Sequence, residues 1–120
     1  MMNHRHLLFL ALFSAPLLAE TIDNCASQLG SIAVELRVAR SRPASARTTF
    51  VCPKDTHALI GASKQRVLNA LGPPDATGEM GWSYSFTGAG GGERTGGYPE
   101  LSFSFDERQE VTLVSCQLIR

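Results

Sequence analysis

The chain has 120 residues, of which 43% are hydrophobic and 18% are charged, and its 11 basic residues balance its 11 acidic residues. This length suits one domain rather than two. Because the charges balance and no long run of like charges occurs, the composition argues against a broad electrostatic face for nucleic acid.

The first 19 residues are typical of a secretory signal peptide. A basic, histidine-containing start precedes an apolar run from Leu7 to Phe13, and small residues follow up to Ala19. The run is far shorter than the ~20 residues of a membrane-spanning helix. We therefore expect cleavage after Ala19 and a periplasmic or secreted protein that begins at Glu20. An uncleaved N-terminal anchor is the alternative.

The first helix is predicted over 21–40, where apolar residues recur at steps of three and four from Ile22 to Ala39. The following stretch, 41–49, is polar and contains a proline, which is typical of a loop. Residues 20–49 are therefore predicted to form an N-terminal helix and its linker.

Two short helices are predicted next. The first runs from about Lys54 to Ile60. The second begins after Ser63, a residue type that caps helix starts by accepting a backbone hydrogen bond. It ends at Gly72, because glycine suits the left-handed position at a helix end and the two prolines that follow cannot continue the helix.

After the second helix the apolar period changes from helical to two. The segments WSYSF (82–86) and LSFSF (101–105) are predicted to be half-buried strands with aromatic side chains inward and serines outward, and EVTLVSCQLI (110–119) is predicted to be a third strand. The sequence leaves open whether the serine face accepts a partner or is covered by the N-terminal helix. The alternation slips between Leu113 and Val114, which indicates a bulge or partial cover on both faces.

A glycine-rich segment, TGAGGGERTGGYP (87–99), joins the first two of these strands. A phosphate-binding loop needs a helix after it and usually a lysine, whereas here a strand follows and no lysine is present. The segment is therefore predicted to be a mobile hairpin loop. Because aromatic side chains on loops often anchor partners, Tyr98, Pro99 and Arg94 are the candidate partner contacts.

The chain has three cysteines, Cys25, Cys52 and Cys116. A disulfide is the default expectation in an exported protein, and the odd number leaves one thiol over. A helix of ~28 Å and an extended linker of about that length can bring Cys25 to Cys52, and this pairing is slightly favoured. The rival pairing, Cys52 with Cys116, would staple the entry of the domain to its last strand. Asp23 and Asn24 precede Cys25 and do not suit a lipid-anchoring cysteine, so no direct lipid anchor is expected.

No catalytic, cofactor or metal site is predicted. A nucleophile needs a base within reach, but the only Cys–His pair close in sequence is Cys52 with His57, which fits a disulfide cysteine and a surface histidine. No Cys-x-x-Cys spacing occurs, and His57 is the only histidine after the signal, so a metal site is not expected. Asp106 and Glu107 flank a hairpin turn, where acidic residues serve the turn.

The stretch LIGASKQRVLNALGPPD, followed by WSY and LSFSFDERQEV, resembles the outer-membrane assembly lipoproteins of the BamE/SmpA type over roughly residues 54–115. The matching positions are Ile60, Gly61, Ser63, Val67, Leu71, Gly72, Pro74, Trp82, Tyr84, Leu101, Phe103, Phe105, Asp106 and Val111. The resemblance implies an α+β fold over 50–120, with two short helices packed on one face of a three-stranded antiparallel sheet. The N-terminal helix stands in front of this domain.

These features predict a non-catalytic, exported envelope protein that acts by protein–protein contact, in outer-membrane protein assembly or envelope maintenance. The expected partner is a protein of the cell envelope. The alternative is a periplasmic inhibitor or immunity-type protein that binds a secreted enzyme, because β-lactamase inhibitor proteins share the implied architecture and act by binding. A more distant alternative is a small hydrolase or redox protein that uses one of the cysteines.

Overall fold

The computed structural model describes residues 24–43, 49–88 and 97–120, and this part of the chain has an α+β fold. The predicted signal peptide (1–19) and Arg94 lie outside the described residues. The elements are helix α1 (24–41), a 3-10 turn (His57–Leu59), helix α2 (Lys64–Leu71) and the strands β1 (Ala76–Thr77), β2 (Gly81–Ser85), β3 (Tyr98–Phe105) and β4 (Val111–Ile119).

The sheet has four strands in the order β1-β2-β3-β4, and every neighbouring pair is antiparallel. The predicted count of three strands is therefore wrong, although the three predicted strands are present as β2, β3 and β4. The additional strand, β1, has only two residues, and its pairing is fixed by hydrogen bonds from Asp75 N to Ser83 O and from Gly78 N to Gly81 O, each of 2.9 Å. Two residues are too few to show an alternation in the sequence.

The two helices that flank the linker follow their predicted patterns. Helix α1 buries one apolar stripe, which consists of Cys25, Leu29, Ile32, Ala33, Leu36 and Ala39. Helix α2 is capped by the Ser63 hydroxyl, which accepts a hydrogen bond from Arg66 N at 3.1 Å, and it ends at Gly72 with a φ of 79°.

The first of the two predicted short helices, Lys54 to Ile60, is only a single 3-10 turn over His57–Leu59. The Asp55 carboxylate accepts a hydrogen bond from His57 N at 2.9 Å, which fixes a local turn instead of an α-helical start. Ile60 already has an extended backbone, and Gly61 has a φ of 88°. The predicted helix is therefore wrong in length, although a helical turn does lie there.

The core lies between the helices and one face of the sheet. Tyr84, Leu101 and Phe103 are buried there, and the rings of Tyr84 and Phe103 meet edge to face with centroids 5.9 Å apart. Trp82 packs edge-on against Phe105 with centroids 5.1 Å apart. The aromatic side of the alternating strands therefore faces inward, as the sequence predicts.

The disulfide joins Cys52 to Cys116. The favoured pairing of Cys25 with Cys52 is therefore wrong, and the rival pairing is present. Cys25 is a free thiol in the buried stripe of α1. Cys116 lies opposite Leu101 on the covered side of β4. The chain passes this point as it leaves the linker, and there the rings of Phe50 and Phe86 stack with centroids 3.8 Å apart. Chain lengths alone fix how far the linker reaches and not the direction it takes.

Candidate protein-binding face

The two faces of the sheet differ in what covers them. The helices pack on the apolar face, while no described residue packs over the opposite face. This opposite face is called the open face here, and it consists of Ser83, Ser85, Glu100, Ser102, Ser104, Leu113, Ser115 and Gln117. All of these residues are partly or largely exposed. The serine face that the sequence predicts is therefore not covered by α1, which packs into the core on the other side.

The strand register aligns small side chains across the open face. Ser83, Ser102 and Ser115 are neighbours on β2, β3 and β4, so one row of hydroxyl groups crosses the sheet. Gly81, the first residue of β2, carries no side chain. A Cβ built there would clash with the Phe103 carbonyl oxygen. Only glycine therefore allows the backbones to approach so closely at this point.

A shallow depression of about 380 Å³ lies on the open face between β1, β2 and β3. Met80 borders it and is 71% exposed. Met80 also lines a neighbouring groove of about 610 Å³ beside the turn between β3 and β4. This hairpin groove is lined by Glu79, Met80, Phe105 and residues 106–109. The open face and the hairpin groove thus form one continuous surface with a flexible apolar side chain at its centre.

The hairpin turn is held by Asp106. Its Oδ1 atom accepts hydrogen bonds from Arg108 N at 2.9 Å and from Glu110 N at 3.0 Å. Gln109 adopts a positive φ of 64°, in the left-handed region that favours glycine. The Asp106 carboxylate is therefore occupied by the turn, as the sequence predicts, and Glu107 is exposed.

Asp75 positions α1 against the sheet, a role that sequence reasoning missed. Its Oδ2 atom accepts a hydrogen bond from Ser85 N at 2.7 Å and forms a salt bridge with Arg40 of α1 at 2.9 Å. The only signal in the sequence is an acidic residue directly after the two prolines that end α2. Such a residue is equally typical of an ordinary loop, so its partner 35 residues away in α1 could not be found from sequence.

The candidate partner contacts lie in different surroundings. Tyr98 begins β3 opposite Ile119 and is partly exposed at the margin of the open face. Pro99 is buried, and its carbonyl oxygen accepts a hydrogen bond from Phe86 N at 2.9 Å. Pro99 therefore lies at the margin of the core. Arg94 lies outside the described residues.

The open face carries five serine hydroxyls and one carboxylate, that of Glu100. No hydrogen bond joins its serine hydroxyls to a histidine or carboxylate side chain in the described part of the chain. No group of three or more His, Cys, Asp or Glu side chains there could hold a metal ion. This arrangement can form contacts and hydrogen bonds with another molecule.

Tyr84 is the one ionisable group in the described residues whose pKa is strongly shifted, and its role is structural. Burial raises the pKa of the Tyr84 phenol to about 12, against a smaller opposing effect of the Arg40 guanidinium. The hydroxyl donates a hydrogen bond to Gly72 O at 2.8 Å, which ties β2 to the end of α2. Tyr84 thus helps to hold the covered side of the sheet and does not reach the open face.

Comparison of the chain with models of protein families, with curated proteins and with solved structures finds no match. Within the described residues, no helix combines the length and the apolar character needed to cross a membrane.

Proposed function

We propose that this protein is a non-catalytic, exported domain that binds a protein partner of the cell envelope through its open face. One observation carries this proposal: the sheet is packed by helices on one side and uncovered by described residues on the other. Two large apolar side chains, Met80 at 71% and Leu113 at 59% exposure, stand on that surface. Exposed apolar side chains among small polar ones are suited to contact another protein.

The disulfide supports an exported protein. Cys52–Cys116 links positions 64 residues apart, and such bonds persist in oxidising compartments and are rare in the cytosol. It also holds the middle of β4 to the chain that leaves the linker, so the sheet is rigid before a partner arrives. A preorganised surface loses less conformational entropy on binding.

The resemblance to BamE/SmpA-type proteins supports a role in outer-membrane protein assembly or envelope maintenance. The matching residues account for the α2 end at Gly72 and for the inward aromatic positions of β2 and β3. The open face and the hairpin groove would then be the surface that an envelope partner contacts.

A second candidate function is inhibition of a secreted enzyme. The observation that favours it is the hairpin turn beside the groove, where residues 106–109 are all exposed. Such a turn can enter an enzyme cleft while the open face covers the rim. The partner would then be a single enzyme rather than a membrane-assembly complex.

The test is an affinity pull-down of the oxidised protein from a bacterial envelope extract. Ser102→Arg places a long charged side chain in the centre of the open face, while Ser27→Arg makes the same change on the exposed side of α1. We expect Ser102→Arg to lose the partner and Ser27→Arg to retain it, with unchanged melting temperatures for both.

The identity of the recovered protein separates the two functions. Barrel-assembly subunits would support the envelope role, and a single lactamase or wall hydrolase would support inhibition. A partner that binds Ser102→Arg as well as the unmodified protein would overturn the use of the open face.

A further inference from the structure

From Leu113 onward, the outer edge of β4 lacks the charged residues and prolines that often protect the edge of a sheet. Residues 111–119 form the longest strand, and they contain no charged residue and no proline. Exposed edges are usually blocked by charges, prolines or short strands, and the opposite edge follows this rule because β1 has only two residues. Leu113 and Leu118 on β4 are 59% and 46% exposed.

Only the beginning of this edge has a partner among the described residues. Gly61 N donates a hydrogen bond to Val111 O, and Val111 N donates one to Ala62 O, each of 2.8 Å. The bulge between β3 and β4 also lies at this end, because Ser104 pairs with Leu113 and Phe105 with Val111, which leaves Thr112 as the extra residue. From Leu113 to Ile119 the strand is regular and its outer edge is unpaired within the described chain.

The hydrogen-bond pattern shows which backbone groups point outward. Phe105 N donates to Met80 O and Phe86 N donates to Pro99 O. The backbone N–H and C=O groups of the odd-numbered residues of β3 therefore point toward β2. In an antiparallel ladder the backbone groups of alternate residues bond to opposite neighbouring strands, so those of the even-numbered residues of β3 point toward β4. By the register, the residues of β4 whose backbone groups point away from β3 are Val114, Cys116 and Leu118.

We propose that the outer edge of β4 pairs with β4 of a second copy of this chain, antiparallel and about a two-fold axis at Cys116. From Leu113 to Ile119, the order of apolar and polar side chains is the same in both directions along the strand. Leu113 then lies opposite Ile119 of the partner subunit, Val114 opposite Leu118 of the partner subunit, and Ser115 opposite Gln117 of the partner subunit. Every cross-strand pair joins side chains of the same kind, and such pairs are the unit of sheet stabilisation.

The same register provides hydrogen-bonding partners for the outward backbone N–H and C=O groups. Cys116 pairs with its own counterpart, and Val114 pairs with Leu118 of the partner subunit, so each outward-facing residue obtains hydrogen-bonding partners. Moving the axis to Ser115 would set Leu113 against a glutamine. Moving it to Gln117 would set Ser115 against an isoleucine and Val114 against an arginine. The polarity of the strand therefore selects the axis at Cys116.

The pairing leaves the proposed binding surface accessible. A two-fold axis perpendicular to the sheet keeps both open faces on one side, so the dimer presents a continuous sheet of twice the width. The Cys116 side chain, which forms the disulfide, lies on the covered side opposite Leu101. The pairing joins only residues 113–119 of each strand, a smaller contact than a standard interface of ~1,600 Å², so we expect a dimer that dissociates in the micromolar range.

The test is analytical ultracentrifugation of the oxidised protein between about 1 and 500 µM, a range that brackets micromolar affinity. We expect a reversible monomer–dimer equilibrium. Two double variants at exposed positions test the register: Ser115→Lys with Gln117→Lys sets like charges opposite each other, and Ser115→Glu with Gln117→Lys sets opposite charges opposite each other. The first should weaken the dimer at least tenfold, and the second should preserve or strengthen it.

A third variant tests the backbone. Leu118→Pro removes an outward N–H that does not bond to β3, so it should abolish the dimer while the melting temperature changes little. A protein that stays monomeric to the highest concentration would overturn the proposal. Equal association of the two charge variants, or full dimerisation of Leu118→Pro, would also overturn it. None of these outcomes bears on binding by the open face, which the pull-down tests separately.

Discussion

The two faces of the sheet are built from alternate residues of the same strands, yet they have opposite surroundings. Tyr84 and Phe103 point toward the helices and are buried, whereas their neighbours Ser83 and Ser102 point the other way and stay partly exposed. The comparison shows that a period of two assigns each residue to a face, and that helix packing makes one face the core. The other face escapes that packing constraint and stays accessible to a partner.

The sharpest way to test this difference is to truncate neighbouring residues of β3. Phe103→Ala should lower the free energy of unfolding by about 3–5 kcal/mol, because it leaves a cavity in the core. Ser102→Ala, one residue away, should change it by no more than about 0.5 kcal/mol, as for most surface substitutions. Urea denaturation of both variants measures the difference. Similar losses would mean that the open face is packed by a part of the chain outside the described residues.

The disulfide gives the next largest expected effect, because it holds the covered side of β4. Replacing Cys52 and Cys116 together by alanine should cost about 2–4 kcal/mol, since the bond closes a long loop and restricts the unfolded chain. Cys25→Ala is the matched control and should cost about 1 kcal/mol or less, because it removes one buried sulfur and no cross-link. Equal losses for Cys25→Ala and the double variant would contradict the larger contribution that is assigned to the cross-link.

The sequence predicts the covered face well because its signal is local. The alternation in 82–86 and 101–105 identifies the buried side chains, and Ser63 and Gly72 mark the ends of α2. The features that the sequence does not reveal depend on distant segments. The pairing of Cys52 with Cys116, the salt bridge from Arg40 to Asp75 and the two-residue strand β1 all require knowledge of where the chain returns in space.

The candidate site is only partly predictable for the same reason. The serine face can be identified from the sequence, but whether α1 covers it depends on the side of the sheet where α1 packs. Met80 gives no periodic signal, because it lies in the turn before β2, and it becomes prominent only through its 71% exposure. The sequence predicts that Tyr98 lies in a loop, yet it starts β3 at the margin of the open face.

A smaller loss of stability is expected for a substitution at the contact between β2 and the end of α2. Tyr84→Phe should cost about 1–2 kcal/mol, because Gly72 O loses its hydrogen-bond donor in a partly buried position. The substitution should also change the pH dependence of stability. The unfolded phenol loses its proton near pH 10, whereas burial raises the pKa of Tyr84 in the folded state to about 12.

The folded state therefore holds this proton more tightly than the unfolded state does. Its contribution to stability is complete below pH 10 and is lost as the pH rises through about 12. Chemical denaturation at pH 9, 10 and 11 should show a steeper loss for the unmodified protein than for Tyr84→Phe. Parallel losses would show that the phenol titrates normally and is not buried as described.

The smallest expected effect lies in the hairpin turn that borders the groove, outside the packing of either face. Gln109 is the only non-glycine residue with a positive φ in the described chain, and a side chain costs energy in that conformation. Gln109→Gly should therefore stabilise the protein by about 0.5–1 kcal/mol, even though glycine makes the unfolded chain more flexible. The hydrogen bonds of residue 109 use only its backbone and survive the change.

Glu107→Gly is the control for that comparison, because this neighbouring turn residue does not have a positive φ. Glycine there relieves no strain and adds flexibility only to the unfolded chain, so it should destabilise by about 0.5–1 kcal/mol. Thermal unfolding of the two variants should thus shift in opposite directions. Shifts of the same sign would mean that the turn does not hold Gln109 in the left-handed region. The groove beside Met80 would then have a different shape in solution.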